Sequence, residues 1–299
     1  MTREPKVIER GIEVRCESCL RGFAVDARAF LNYFSRTQTV CSECGTVIDL
    51  FEATMAMLCN WFALGDPLLL AGANALHIIE TLRHDEIKDI DLTKHGVPER
   101  AEILHLNFTP CGSALATLLH GNAAPTSPLP PRFKIRGLRF NDLRDDGVLT
   151  IFAVWHALES DDTTIRHLVE AAQEYQCERF DRVIVPTNIA AEAALLPVSR
   201  KALEGIASKE NLDEFLRRGA TYSHQLNVLL PLIARMIGAQ AMPDRLRGLL
   251  NRLRSWRNDV AHSGVPETQQ TRRFAAEHLC AAVFAVRYAA YMMQTLSMQ

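Results

Sequence analysis

The chain has 299 residues, of which 48% are apolar and 23% charged, and its net charge is −2. That profile fits an ordinary soluble globular protein and excludes a disordered one, and the balanced charge excludes bulk attraction to nucleic acid, so any such binding must come from a local patch. The opening "MTREPKVIERGIEVRC" lacks the apolar core of a signal peptide, and no later run has the unbroken length of a membrane span; a cytoplasmic protein with no membrane partner is expected, its cysteines reduced or bound to metal.

Four of the eight cysteines form a pattern: "CESC" at Cys16 and Cys19 and "CSEC" at Cys41 and Cys44, with 21 residues between the pairs. Cys59, Cys111, Cys177 and Cys280 are scattered. Two CxxC knuckles at this separation read as a zinc ribbon over residues 1–58, because each turn lets two thiolates converge on one ion and zinc takes four ligands in a tetrahedron. With sulfur in every position no ligand site is left for water, so the expected Zn2+ is structural. A thioredoxin-like redox pair would need a βαβ setting, which neither CxxC has. The alternating stretches "IEVRC", "GFAVD" and "TVCSECGTVIDL" fit short strands held by the metal. Arg15, Arg21, Arg28 and Arg36 are offset by Glu13, Glu17, Asp26 and Glu43, which favours a self-stabilised or docking module over a nucleic-acid grip.

Residues 59–147 change texture. "ALHIIETL", "KDIDL", "AEILHLNFT" and "FKIRGLRF" are short and partly alternating, separated by "HGVP", "TPCG" and "PTSPLPP", which predicts a strand-rich, β-sandwich-like domain. It carries no nucleophile elbow, P-loop, HExxH or dinucleotide fingerprint. His77, His84, His95, His105 and His120 match no ligand spacing, so a binding or assembly module is expected, open to a regulatory protein or ligand.

From residue 148 to 299 the apolar spacing becomes helical. "DDTTIRHLVEAAQEYQ", a stretch from Glu178 to about Gly205 containing Pro186 and Pro197, "NLDEFLRRGATYSHQLNVLLPLIARMIG", "PDRLRGLLNRLRSWRNDVAH" and a long final segment predict an antiparallel bundle of four or five helices. The fold class is therefore multidomain α+β.

One helix breaks its own pattern. Counted from Leu246 at 100° per residue, Leu249, Leu250, Leu253, Trp256 and Val260 form one apolar stripe of roughly 120°. Arg257 falls inside it. Asn258 and His262, at i and i+4, share the adjacent polar face with Ser255, and His262 precedes the stop signals Gly264 and Pro266. A guanidinium on an apolar stripe is costly unless it meets an anion or escapes at a boundary, so Arg257 either snorkels or pairs with a carboxylate such as Asp259 or Glu192, or faces a cleft that receives a phosphate. Arginine followed closely by histidine also occurs at Arg100, Arg218 and Arg273, so spacing alone does not choose between these readings. The setting of Arg257 differs through the adjoining Asn258 and Asp259 and the upstream Arg245, Arg247, Arg252 and Arg254.

"RNDVAH" near the end of a helical bundle resembles the HEPN superfamily, whose ribonucleases carry an arginine, often a polar residue, and a histidine after four to six positions. The resemblance covers residues 161–298; the ribbon and strand-rich region look like accessory parts found ahead of such domains in defence or toxin proteins. It implies metal-independent endonucleolytic cleavage of RNA by a homodimer whose two motifs line one cleft. His262 would accept the proton of the RNA 2′-hydroxyl, Arg257 would stabilise phosphoryl charge, and Asn258 would position either. Asp259 would orient the arginine, with Arg252 and Arg254 holding flanking RNA. Two other readings stay open: a non-catalytic dimeric interaction protein, and a nucleic-acid-binding regulator acting through the ribbon.

Overall fold

The computed structural model describes residues 12–60, 62–111, 115–118, 129–138, 146–157, 163–204, 206–263 and 271–298. The first elements are two short antiparallel hairpins, β1 (Ile12–Arg15) with β2 (Gly22–Val25) and β3 (Thr39–Val40) with β4 (Val47–Ile48). Three helices accompany them: α1 (Ala27–Phe34), α2 (Leu50–Asn60) and α3 (Gly65–Ala71). Asp26 starts α1 by accepting the amide of Ala29 at 2.8 Å, and Asp49 starts α2 by accepting those of Phe51 and Glu52 at 3.0 and 3.1 Å. Both caps satisfy backbone donors that a helix cannot pair internally.

Six strands follow: β5 (Asn74–Arg83), β6 (Ile87–Asp91), β7 (Ala101–Cys111), β8 (Leu115–Leu118), β9 (Arg132–Leu138) and β10 (Asp146–Ala157). They pair antiparallel in two three-stranded sheets of order β5-β10-β7 and β6-β9-β8. Leu76, Ile78, Leu149 and Ile151 of one sheet share a single buried core with Ile90, Phe133 and Ile135 of the other, which makes the unit a small sandwich. The strict alternation of β9 turns Arg132, Lys134 and Arg136 outward. Each meets an acid: Asp91 at 3.3 Å, Asp89 at 3.5 Å and Asp85 at 3.0 Å, so this basic row is already neutralised. Gly137 is required where the sheet doubles back, since a Cβ there would lie 2.1 Å from the carbonyl oxygen of Arg83.

The remaining helices are α4 (Thr163–Gln176), α5 (Ile184–Leu203), α6 (Lys209–Glu214), α7 (Tyr222–His224), α8 (Leu230–Met236), α9 (Asp244–Ser263) and α10 (Arg272–Ser297). The segment read as one helix around Asn211–Gly238 is instead α6, a π-helical turn at Phe215–Gly219, a break at Ala220, α7, a second π turn at Gln225–Leu229, and α8. Helix α10 is the centre of the helical unit. Its Leu279, Val283, Phe284, Tyr288 and Met292 are buried, and Phe284 receives the ring edges of Phe30, Tyr33 and Phe51 at 4.9, 5.1 and 5.0 Å. Arg287 donates to the carbonyls of Leu69 and Leu70 and lies 5.2 Å over the Phe30 ring, tying α10 to α1 and α3.

Three expectations change. Helix α10, with 26 residues, is long and apolar enough by composition to cross a membrane, contrary to the reading that no run approaches a span; its apolar side chains are engaged in the helical core. The boundary expected at 147/148 falls inside β10, the middle strand of its sheet, which continues to Ala157 because it pairs on both edges. The boundary expected at 58/59 also moves, because α2 and α3 belong with the helices. The chain divides into one unit of Ala73–Asp162 and another of Gly11–Gly72 with Thr163–Gln299, so the cysteine-bearing segment and the bundle are one body rather than two domains.

Candidate functional site

The cysteines lie at the turns of the two hairpins, and both turns are built alike. In the first, the amide of Cys16 donates to Arg21 at 2.9 Å and that of Leu20 to Cys16 at 2.8 Å; in the second, Cys41 donates to Thr46 and Gly45 to Cys41, each at 2.9 Å. These bonds fold each CxxC so that both sulfurs face the same point. The four Sγ atoms of Cys16, Cys19, Cys41 and Cys44 lie within 4.8 Å of one another. Cys16 and Cys44 are 3.6 Å apart and Cys19 and Cys41 3.7 Å. A disulfide requires about 2 Å, whereas a tetrahedral ion with metal–sulfur bonds of about 2.3 Å separates its ligands by about 3.8 Å. All four are free thiols, and they could hold a metal ion.

Helix α9 follows its predicted stripe for about two turns, from Leu246 to Leu253, and then opens. Leu246, Leu249, Leu250 and Leu253 are buried, whereas Trp256, Arg257 and Val260 are half-buried. Trp256 rests on Phe274 and His278 of α10 at 4.1 and 4.8 Å between ring centres. The Nη1 of Arg257 donates to Asn258 Oδ1 at 3.2 Å, so these two candidates are brought together directly. His262 occupies the last turn of α9, and its side chain lies outside the described residues, as do His120 and the stop signals Gly264 and Pro266. Asp259 is half-buried.

The upstream arginines divide. Arg245 pairs with Asp49 and Glu52 and stacks over Phe51 at 4.6 Å, and Arg247 pairs with Asp244 at 2.6 Å, so both serve the fold. Arg252 is exposed and lies 3.7 Å from Glu277. Arg254 is half-buried, and its Nε is buried without a hydrogen-bond partner among the described residues.

Around Arg254 and Arg257 the structure collects polar groups that the linear reading did not assemble. Glu192 on α5 is half-buried; burial raises its pKa, and the charge of Arg257 works against that rise. Tyr222 on α7 is buried, its hydroxyl unpartnered among the described residues, and its pKa is raised by burial and by Glu192, with Arg254 opposing. Gln225, at the start of the second π turn, is 4% exposed; its Nε2 donates to the Ala220 carbonyl at 2.8 Å while its Oε1 is buried without a partner among the described residues. Asn188, one turn before Glu192 on α5, is buried with Oδ1 likewise unpartnered. The available signal was the polar pair Asn188 and Glu192 at i and i+4 within "TNIAAEAALL". Tyr222 and Gln225 could not be found this way, because the π turns that aim them break the helical period.

Fold and site together define a mixed α/β chain with a four-cysteine site able to hold a metal ion near its N-terminus and a buried polar cluster among its C-terminal helices. The chain matches no protein-family model, no curated protein and no solved structure.

Proposed function

We propose that the chain is a metal-independent endoribonuclease of HEPN type, with Arg257, Asn258 and His262 as its catalytic residues and Zn2+ as a structural ion in the four-cysteine centre. The observation that carries the reading is Arg257 itself: a half-buried guanidinium held by Asn258 where the α9 stripe opens. His262 stands one helical turn beyond Asn258 on the same continuous helix, where the C-terminal dipole favours a basic side chain.

The chemistry needs no metal. His262 takes the proton of a ribose 2′-hydroxyl, the 2′-oxygen forms a bond to phosphorus, and the P–O5′ bond breaks as the leaving O5′ takes a proton from water, whose hydroxide recovers the proton held by His262. Arg257 offsets the added charge on the phosphoryl oxygens. The products are a 2′,3′-cyclic phosphate and a 5′-hydroxyl, and DNA is inert because it lacks the 2′-hydroxyl. Arg254 and Arg252 hold flanking RNA, and Asp259 orients Arg257. In a homodimer the two motifs share a cleft, and the sandwich unit receives a regulatory protein or ligand, as fits a defence or toxin effector in the cytoplasm.

The test is cleavage of RNA by purified protein with EDTA present. Arg257→Ala and His262→Ala should each lower the rate by at least about 100-fold with unchanged circular dichroism. Full activity in either variant would sink the assignment.

A second reading has its own support. Val228, Leu232 and Met236 are exposed at successive i+4 positions, an apolar stripe suited to a protein partner. A non-catalytic dimeric interaction protein would cut no RNA and would lose its dimer on Leu232→Glu.

A further inference from the structure

Between α5 and α9 the chain runs as α6, a π turn, a break at Ala220, α7 and a second π turn before α8 begins. From Lys209 to Gly219 only Leu212 and Leu216 are buried, and α6 packs chiefly on the π turn that follows it. Leu196 and Leu203 of α5 touch this small apolar cluster, and Asp213 of α6 pairs with Arg200 of α5. A cavity of about 790 Å³, lined by residues of α5, α6 and the π turns, leaves the rest of this face unfilled. A stretch with so few buried apolar contacts opens at a far lower cost than the whole fold.

The position seen here also leaves hydrogen bonds unmade. Each π turn is bonded from i to i+5, a rare geometry that recurs at functional sites. Tyr222 lies between the two turns and Gln225 opens the second; the hydroxyl of one and the Oε1 of the other are buried without a partner among the described residues. So is the Nε of Arg254 on α9, whose charge reaches the Tyr222 hydroxyl. Water would satisfy all three atoms, so a closed segment forfeits what an open one regains. One polar fastening opposes this: Asn227 and Asn251 exchange hydrogen bonds at 2.9 Å, holding the second π turn to α9.

We propose that Lys209–His224 is a lid hinged at the second π turn, closed in this structure, and that its opening exposes Tyr222 and Arg254 to solvent. The Asn227–Asn251 pair keeps the hinge on α9 while the lid moves. The open lid presents the Arg254 guanidinium to the phosphate backbone of single-stranded RNA, a step that rests on the ribonuclease reading. RNA that binds only the open position shifts the population toward it.

Hydrogen exchange of the full chain, followed by mass spectrometry, tests the lid. Amides of residues 209–224 should exchange together, at least about 100-fold faster than those on the buried face of α10. Tyr222→Phe removes a hydroxyl that only the open position satisfies, and should slow lid exchange by at least about fivefold. Asn251→Ala unfastens the hinge and should speed it by about fivefold, with α4 and α10 unchanged in both variants. A merely weakened fold would speed exchange everywhere, so selective slowing by Tyr222→Phe separates a lid from general loosening. Lid exchange only in step with α10, or unchanged or faster exchange in Tyr222→Phe, overturns the proposal. A 2′-O-methyl oligoribonucleotide, which lacks the free 2′-hydroxyl, should raise lid exchange if the ribonuclease reading holds. A lid that opens but ignores the oligonucleotide, in a chain that cuts no RNA, overturns that reading and leaves the lid standing; cleavage by a chain whose lid never opens does the reverse.

Discussion

Leu20 and Gly45 hold the same place in two equivalent turns, each just after the second cysteine of its pair and each in the left-handed region, at φ 61° and φ 72°. Glycine adopts that backbone without cost, whereas a leucine there is strained by about 1 kcal/mol or more. Leu20 gains little in return, since its side chain is 68% exposed. Leu20→Gly should therefore raise stability of the helical unit by about 1 kcal/mol, and Gly45→Leu should lower it by at least as much. Chemical denaturation of both variants beside the parent checks the pair; a loss of stability in Leu20→Gly would refute the strain argument.

Metal removal should reach well beyond the hairpins. Only a few short strands surround the cysteines, so a metal ion held by the four sulfurs would supply most of what holds them. Yet Phe30, Phe34 and Phe51, on the helices that follow those strands, are packed around Phe284 of α10. Stripping the metal with a strong chelator, or replacing Cys16 and Cys41 by serine, should cost about 4 kcal/mol and lower Tm by roughly 10 °C. Metal content by mass spectrometry and Tm by calorimetry decide it. Quantitative metal loss with an unchanged Tm would show the ribbon to be energetically separate.

That coupling marks where sequence patterns stopped being informative. The cysteine spacing, the sandwich alternation and the apolar stripe Leu246–Leu253 were legible because they are local and periodic. The association of α1, α2 and α3 with α10 was not, because aromatic side chains distant in sequence carry it. The position of Arg257 within the stripe could be counted, but its company could not: Tyr222 and Gln225 enter through π turns, in which an added residue shifts every later position around the helix. The division at 147/148 failed for a different reason. Val148 to Ala157 is apolar enough to suit either state, and its pairing with β5 and β7 makes it strand.

His278 gives the helical unit an acid-sensitive point. It is 1% exposed, its Nδ1–H donates to the Phe274 carbonyl at 2.7 Å, and its Nε2 is buried without a partner among the described residues. Burial lowers its pKa from 6.5 to about 4, with the carbonyl of Phe274 opposing and Arg252 reinforcing. The unfolded chain therefore binds this proton more readily than the folded one. The stabilising contribution of neutral His278 is complete above about pH 6.5 and is lost as pH falls toward 4, by up to about 3 kcal/mol. Stability measured between pH 7 and 4 should fall in the parent and fall less steeply in His278→Gln. Parallel profiles would show that His278 is not the group responsible.

Glu192 should display the opposite economy, stability surrendered for function. Its pKa is raised because burial outweighs the attraction of Arg257, so its ionised form is on balance disfavoured in the folded chain. A raised carboxylate destabilises the fold increasingly as pH climbs from its unfolded value through its folded one. Glu192→Gln keeps the shape and removes that burden, and should make the helical unit measurably more stable at pH 7.5 while leaving stability at pH 4 nearly unchanged. If Glu192 serves the proposed reaction, the same variant should cut RNA at least about tenfold more slowly, chiefly through kcat, since Arg257 loses the charge beside it. A group kept for packing would show neither the pH-dependent gain nor the loss of rate. A stabilised variant with full activity would detach Glu192 from the site and leave Arg257 and Asn258 to stand alone.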